Sequence, residues 1–182
     1  MAFKYIITKL IKENSFATPK GAALDLGCGK GFDTLFIADE GFDVQAVDHA
    51  SSSLDAIKKN NSNIEVLESK IEHFSIKKNY YSLIIASFSL QFLSKEDAKK
   101  VIQDMVDGIV SGGVVIFNVI GDRDAWADRS NWHIWDLEEI KKFVSEIPNA
   151  KLRNFNQYEG MGDTIKEGLK YWHVFEVVLI KK

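Results

Sequence analysis

The segment AALDLGCGKGFDTLFIADEG, residues 22–41, constrains the fold more than any other part of the chain. A five-residue apolar run meets glycines at alternate positions, Gly27, Gly29 and Gly31, and a helical pattern begins directly after them. A buried strand that turns through glycines into a helix is the opening of a parallel α/β unit. Glycine accepts a positive φ and keeps Cβ atoms away from a ligand, and the start of the next helix offers unpaired N–H groups.

The alternation continues along the chain. DVQAVD (43–48) reads as a strand, ASSSLDAIKKNN (50–61) as a helix with a serine cap, and NIEVLES (63–69) as a strand. Two apolar strands follow, YSLIIASFSL (81–90) and GGVVIFNVI (112–120), separated by the helical stretch SKEDAKKVIQDMVDGIVSGG (94–113). Ahead of the glycine segment, Phe3, Ile6, Ile7, Leu10 and Ile11 recur at helical spacing, which predicts an amphipathic helix ending near Asn14, before Thr18 and Pro19. WDLEEIKKFVSEIP (135–148) predicts a helix with Asp136 near its start, and AKLRNFNQYEG (150–160) and KYWHVFEVVLIKK (170–182) predict an antiparallel hairpin at a sheet edge. The expected fold class is α/β: a doubly wound seven-stranded sheet, mostly parallel, with a C-terminal antiparallel hairpin. One domain over 1–182 is expected, because 182 residues with 46% hydrophobic content suit a single core.

Charge and cysteine usage narrow the partners. Twenty-three Lys and Arg against 26 Asp and Glu leave a net charge of −3, with no overall basic surface to neutralise a phosphate backbone. No nucleic-acid partner is expected. The longest apolar stretch, LIIASFSLQFL at 83–93, is too short for a membrane span and is broken by Ser and Gln. The single cysteine, Cys28, has no internal disulfide partner, and the opening MAFKYIITKLIKEN lacks a leader pattern, so a cytoplasmic location is expected.

Three features decide among the ligands a glycine loop can hold. The dinucleotide fingerprint needs G-x-G-x-x-G, and its third glycine would fall at Phe32. Asp25, inside the strand, places a carboxylate beside the loop, which suits a cationic ligand better than a pyrophosphate. Asp48 ends the second strand, where an acceptor can hold both hydroxyls of a ribose. No Lys-Ser or Lys-Thr follows the loop, which argues against a nucleoside triphosphate. A ligand with a nucleoside, an ammonium group and no phosphate meets these conditions, and S-adenosylmethionine is such a molecule.

ALDLGCGKG, GFDVQAVD and the strand SGGVVIF resemble the class I S-adenosylmethionine-dependent methyltransferases, and the resemblance runs over essentially the whole chain. GDRDAWADRSNWHIWDLEEIKKF and KYWHVFEVVLIKK are similar to small bacterial methyltransferases of the tellurite-resistance type. The resemblance implies a Rossmann-like sheet and S-adenosylmethionine as cofactor. It puts Asp25, Gly27, Cys28, Gly29 and Gly31 along the methionine portion, Asp48 on the ribose and His49 against the adenine. Lys70 and Ile71 stand where family members often carry an acidic and then a hydrophobic residue near the adenine amino group, which implies a backbone contact there. Ser87 and Phe88, ending the fourth strand, are implied to approach the methionine and the reacting methyl. Some tellurite-resistance relatives have a His-Arg pair before the last strand; Gly162 and Asp163 stand there in this chain, with Lys170 in place of a further Arg, so neither that catalytic assignment nor tellurite is carried over.

Methyl transfer from a sulfonium needs alignment and water exclusion more than strong acid–base chemistry. Where the acceptor carries a proton, a base helps. The polar, aromatic loop GDRDAWADRSNWHI (121–134) is long for a mere connection, so Asp122 and His133 are candidate bases, with His173 in the last strand as a third. Trp126 and Trp132 are candidate walls of an apolar pocket. No metal site is expected. The end of the fourth strand, SFSL (87–90), lacks the Asn/Asp-Pro-Pro-aromatic run of methyltransferases acting on DNA bases, so a small-molecule substrate is expected; the oligomeric state stays open. Two alternatives remain at this point: a binding module for the same cofactor without turnover, and a nicotinamide-dependent oxidoreductase.

Overall fold

In the computed structural model, residues 3–13, 20–60, 64–129, 132–164 and 167–182 are described. The expected helix end near Asn14 and the Thr18–Pro19 break lie outside these residues.

The buried strand β1 (Ala22–Leu26) turns through the glycines into α2 (Phe32–Asp39), which follows α1 (Lys4–Lys12) in the chain. The unit repeats as β2 (Asp43–Asp48), α3 (Ser51–Asn60) and β3 (Glu65–Glu68), then β4 (Tyr81–Ala86), α4 (Lys95–Gly108) and β5 (Ile109–Ile120). The chain closes with α5 (Leu137–Glu146), β6 (Ala150–Thr164) and β7 (Gly168–Lys181). These strands form one seven-stranded sheet in the order β3-β2-β1-β4-β5-β7-β6. The first five strands pair in parallel, and β7 is antiparallel both to β5 and to β6. The hairpin therefore inserts its second strand into the sheet and leaves β6 at the edge.

Both faces of the central strands are covered, so β4 is buried along its whole length rather than at alternate residues. One face packs against α4 and α5 through residues such as Ile102, Met105, Ile140, Phe117 and Phe175. The other packs against α1, α2 and α3 through Ile7, Ile37, Ile57, Leu83 and Ile116. Polar caps begin two of the helices: Ser94 accepts the Asp97 amide at 3.0 Å, and Asp136, expected near the start of its helix, accepts the Glu139 amide at 2.8 Å.

The boundaries differ from the sequence reading at two places. The apolar run 81–90 leaves the sheet after Ala86, because Phe88 takes φ 49° and Leu90–Phe92 forms a single 3₁₀ turn. The helix expected through 113 stops at Gly108, where a Cβ would lie 2.5 Å from Ile76, and β5 starts at once at Ile109.

Candidate active site

Successive parallel crossovers leave β1 and β4 in opposite directions along the sheet, and this switch point opens a crevice at the carboxyl ends of the strands. The glycine loop forms its floor. Gly27, Gly29 and Gly31 all take the left-handed conformation, with φ of 74°, 50° and 76°. Gly27 also needs its missing side chain, since a Cβ would meet Ser89 at 2.4 Å and Ile71 at 3.0 Å. Gly29 has nothing within 4 Å of that position, so its open side faces the crevice. Gly31 caps α2, and a side chain there would strike Ile57.

Carboxylates hold the loop in place. Asp48 accepts the Gly29 amide through Oδ2 and the Ala50 amide through Oδ1, each at 2.8 Å. Thr34 Oγ1 donates to Asp25 Oδ2 at 2.5 Å, while Asp25 Oδ1 is buried and has no partner among the described residues. Burial, with smaller contributions from the charges of Asp33 and Asp48, pushes the Asp25 carboxyl up to about 7 against the lowering effect of the Thr34 hydrogen bond. The same burial raises the Cys28 thiol, which makes it a weak nucleophile.

Two connected cavities share Gly27, Gly29, Phe88 and Phe92. The smaller, about 300 Å³, runs past Asp48 and His49 to Lys70, Ile71 and Glu72. The larger, about 920 Å³, runs from Asp25, Cys28 and Ser87 toward β5, β7 and β6. Its wall is a chain of edge-to-face rings, Phe88–Trp172–Trp126–Trp132–Phe92, with centroid separations of 4.9–5.5 Å. Beside this wall Asp124 and Lys170 form a buried ion pair, with the Lys170 ammonium 3.8 Å from the Trp172 ring centre. Asp124 also accepts the backbone amides of Trp126 and His173 at 2.9 Å, so one carboxylate ties the 121–129 loop to β7.

Of the residues singled out for a cofactor, Asp25, Gly27, Cys28, Gly29, Asp48, His49, Lys70, Ile71, Ser87 and Phe88 all line one cavity or the other. Gly31 does not; it shapes the turn. None of the three candidate bases lines either cavity. Asp122, with half its side chain exposed, sets its carboxylate 3.3 Å from His173 Nδ1. His133 uses its amide to bond the Gln91 carbonyl at 3.0 Å. His173 is 1% exposed, accepts the Arg123 amide at 3.0 Å and packs against Phe175; burial holds its imidazole below the usual range. The strand alternates, so Trp172, Val174 and Glu176 face the cavity and His173 turns away.

Sequence reasoning missed several lining residues. Glu72 lines the small cavity from the turn Ile71–His73, two residues beyond Lys70, where an acidic residue would have been sought. Asn118 lines the large cavity and accepts the Phe88 amide at 2.7 Å, fixing that positive-φ residue. Gln91, 3% exposed, donates to the Phe88 carbonyl at 2.7 Å and leaves its own Oε1 without a partner among the described residues.

The residues fit a nucleoside carrying an aminoacyl arm: a floor open only at Gly29, a carboxylate with spare lone pairs at Asp48, and an orphaned carboxylate oxygen at Asp25. The arrangement is the fold of the S-adenosylmethionine-dependent methyltransferases. Magnesium protoporphyrin IX methyltransferase from Synechocystis PCC 6803, solved with bound S-adenosylmethionine, superposes on 100% of this chain and 78% of its own with a TM-score of 0.72 at 13% identity. TehB from Haemophilus influenzae matches with a TM-score of 0.78 at 21% identity over 96% of this chain and 62% of its own. The model of the tellurite resistance protein TehB family matches residues 4–156, and the chain belongs to that family. Among curated relatives, a carboxy-S-adenosyl-L-methionine synthase of Vibrio vulnificus (strain CMCP6) is 30% identical over 113 residues, 57% of this chain and 45% of that protein. The chain thus spans about half the length of the curated relatives it matches.

Proposed function

We propose that this protein binds S-adenosylmethionine across the two cavities and transfers its methyl group to a small molecule held in the larger one. The observation that carries the reading is the junction at Gly27, Gly29 and Phe88, where a nucleoside-sized cavity with a ribose acceptor opens into an aromatic chamber. In this reading Asp48 accepts the ribose hydroxyls with lone pairs its two backbone bonds leave free. His49 and Ile71 flank the base, and Glu72 faces its amino group. Asp25 receives the ammonium group through its unpartnered Oδ1. When bound, the cofactor supplies an activated methyl on a sulfonium, and the chain's part is to align the acceptor and keep water out. The ring wall from Phe88 to Trp172 suits that task, and with none of the candidate bases lining the cavity, proximity carries most of the rate.

The nicotinamide alternative is disfavoured by Phe32, which stands where a third glycine would let helix pack on strand and instead is half exposed at the cavity mouth. No helix among the described residues is long and apolar enough to cross a membrane. Titration with S-adenosylmethionine and with NADH separates the readings. Binding of the first alone supports the proposal; binding of NADH alone, or of neither, refutes it.

A further inference from the structure

The larger cavity has a charge imbalance that the cofactor does not remove. Asp25, Asp33, Asp163, Glu167 and Glu176 line it against two cations, Lys30 and Arg129. Arg129 is already paired with Glu167, and Lys30 is exposed at the rim. Assigning Asp25 to the cofactor's ammonium still leaves Asp33, Asp163 and Glu176 with no cationic partner among the described residues.

Glu176 sits where an acceptor would lie. It is half-buried on β7, directly between Asn118 of β5 and Asn156 of β6 in the sheet register, and all three face the cavity. Asn156 Nδ2 donates to Glu176 Oε1 at 2.8 Å, and desolvation raises the Glu176 carboxyl above its usual range. An unpaired carboxylate in a partly dry chamber is stabilised by a cation or a strong donor. A second, independent feature asks for the same chemistry: Gln91, another lining residue, has its Oε1 buried with no donor among the described residues. The cavity wall is built of rings whose faces attract positive charge, and Trp126, Trp132 and Trp172 already hold the protein's own Arg129 and Lys170 within 3.8–5.7 Å of their centroids.

We infer that the methyl acceptor is a cationic, amine-bearing small molecule, with Glu176 binding its ammonium and the tryptophan wall holding its apolar part. This rests on the methyltransferase reading and names its substrate class. Glu176 lies beyond the residues that the family model matches.

The test compares two probes of similar shape and opposite charge, 2-phenylethylamine and 3-phenylpropionate. Each is titrated into the full chain with and without saturating S-adenosylhomocysteine, whose own binding is measured first. The amine is expected to bind at least about tenfold more tightly, as a charge-assisted contact predicts. In Glu176→Gln, which keeps the Asn156 contact, that preference should vanish while S-adenosylhomocysteine affinity stays unchanged. Equal binding of the two probes, preference for the carboxylate, no binding of either, or a preference that survives Glu176→Gln would each overturn the inference. Failure of S-adenosylhomocysteine to bind would instead refute the cofactor reading, and the titrations without it would still report on the cavity's charge selection.

Discussion

Asp48 Oδ2 lies 2.8 Å from the Gly29 amide, so the carboxylate that ends the second strand directly braces the loop that follows the first. Nineteen residues apart in sequence, the two form one unit, in which the proposed ribose acceptor and the open floor of the cavity are set by the same bond. Asp48→Asn keeps the shape and one acceptor oxygen but removes the charge. Its affinity for S-adenosylmethionine should fall roughly 10–100-fold, the loss expected for hydrogen bonds to a charged group, and the thermal midpoint should fall too, because the new NH2 faces one of the two backbone donors, a cost of about 1–3 kcal/mol. Calorimetric titration beside a melting curve checks both; unaltered affinity would remove Asp48 from the site.

Glycine substitutions should separate folding from binding. Gly27→Ala places a Cβ 2.4 Å from that of Ser89 at a φ of 74°, and should destabilise the chain by several kcal/mol, since backbone strain and overpacking each cost about 1–3 kcal/mol. Gly29→Ala meets no atom within 4 Å and should cost stability only through its φ of 50°, about 1 kcal/mol. Its methyl would enter the cavity, so its main effect should be on cofactor affinity. Denaturant unfolding of both variants, each with a binding titration, reads the difference.

Asp25 makes cofactor binding pH-dependent. Burial raises its carboxyl from 3.8 to about 7, so between those values the folded protein holds a proton that the unfolded chain has released. This group's contribution to stability therefore declines as pH rises from about 4 to about 7, and its full cost is present above that range. A bound ammonium favours the ionised carboxylate, so binding below pH 7 should release a proton. Affinity should rise by up to about tenfold per pH unit toward 7 and level off above it. Titrations in buffers of different ionisation enthalpy count the proton; a flat profile from pH 5.5 to 8 would place the ammonium elsewhere.

Lys170→Met leaves the Asp124 carboxylate buried and uncompensated, and loss of one partner of such a pair costs about 3–5 kcal/mol. Because Asp124 also holds the Trp126 and His173 amides, the 121–129 loop should loosen first. Hydrogen exchange is expected to show faster exchange at Ala125 and Ala127 before any global change. Protection equal to that of the parent chain would show that the loop is held by its rings alone.

Much of the architecture was legible in sequence because strand and helix differ in hydrophobic period, and because AALDL, the glycines and DVQAVD each carry a local signal. That Asp25 and Asp48 line the crevice was legible for the same reason: both lie on strands whose ends must meet at the switch point. The acceptor side was not. Whether His173 or its neighbours Trp172 and Val174 face the cavity depends on a parity of one residue, and apolar side chains cover both faces of the central sheet, so the pattern does not set that parity. Glu72 escaped notice because a 3₁₀ turn, which has no strong sequence signature, carries it back over the small cavity. That Gln91 Oε1 has no donor and Glu176 no cation among the described residues is a property of three-dimensional neighbours, and no spacing rule encodes it.

The most direct measurement of the central claim is a crystal structure of the protein with S-adenosylhomocysteine. The account predicts the adenine between His49 and Ile71, the ribose hydroxyls on Asp48, the ammonium at Asp25, and the sulfur at Phe88, facing the tryptophan wall. A nucleoside bound outside the small cavity, or a sulfur directed away from Trp126 and Trp172, would contradict it.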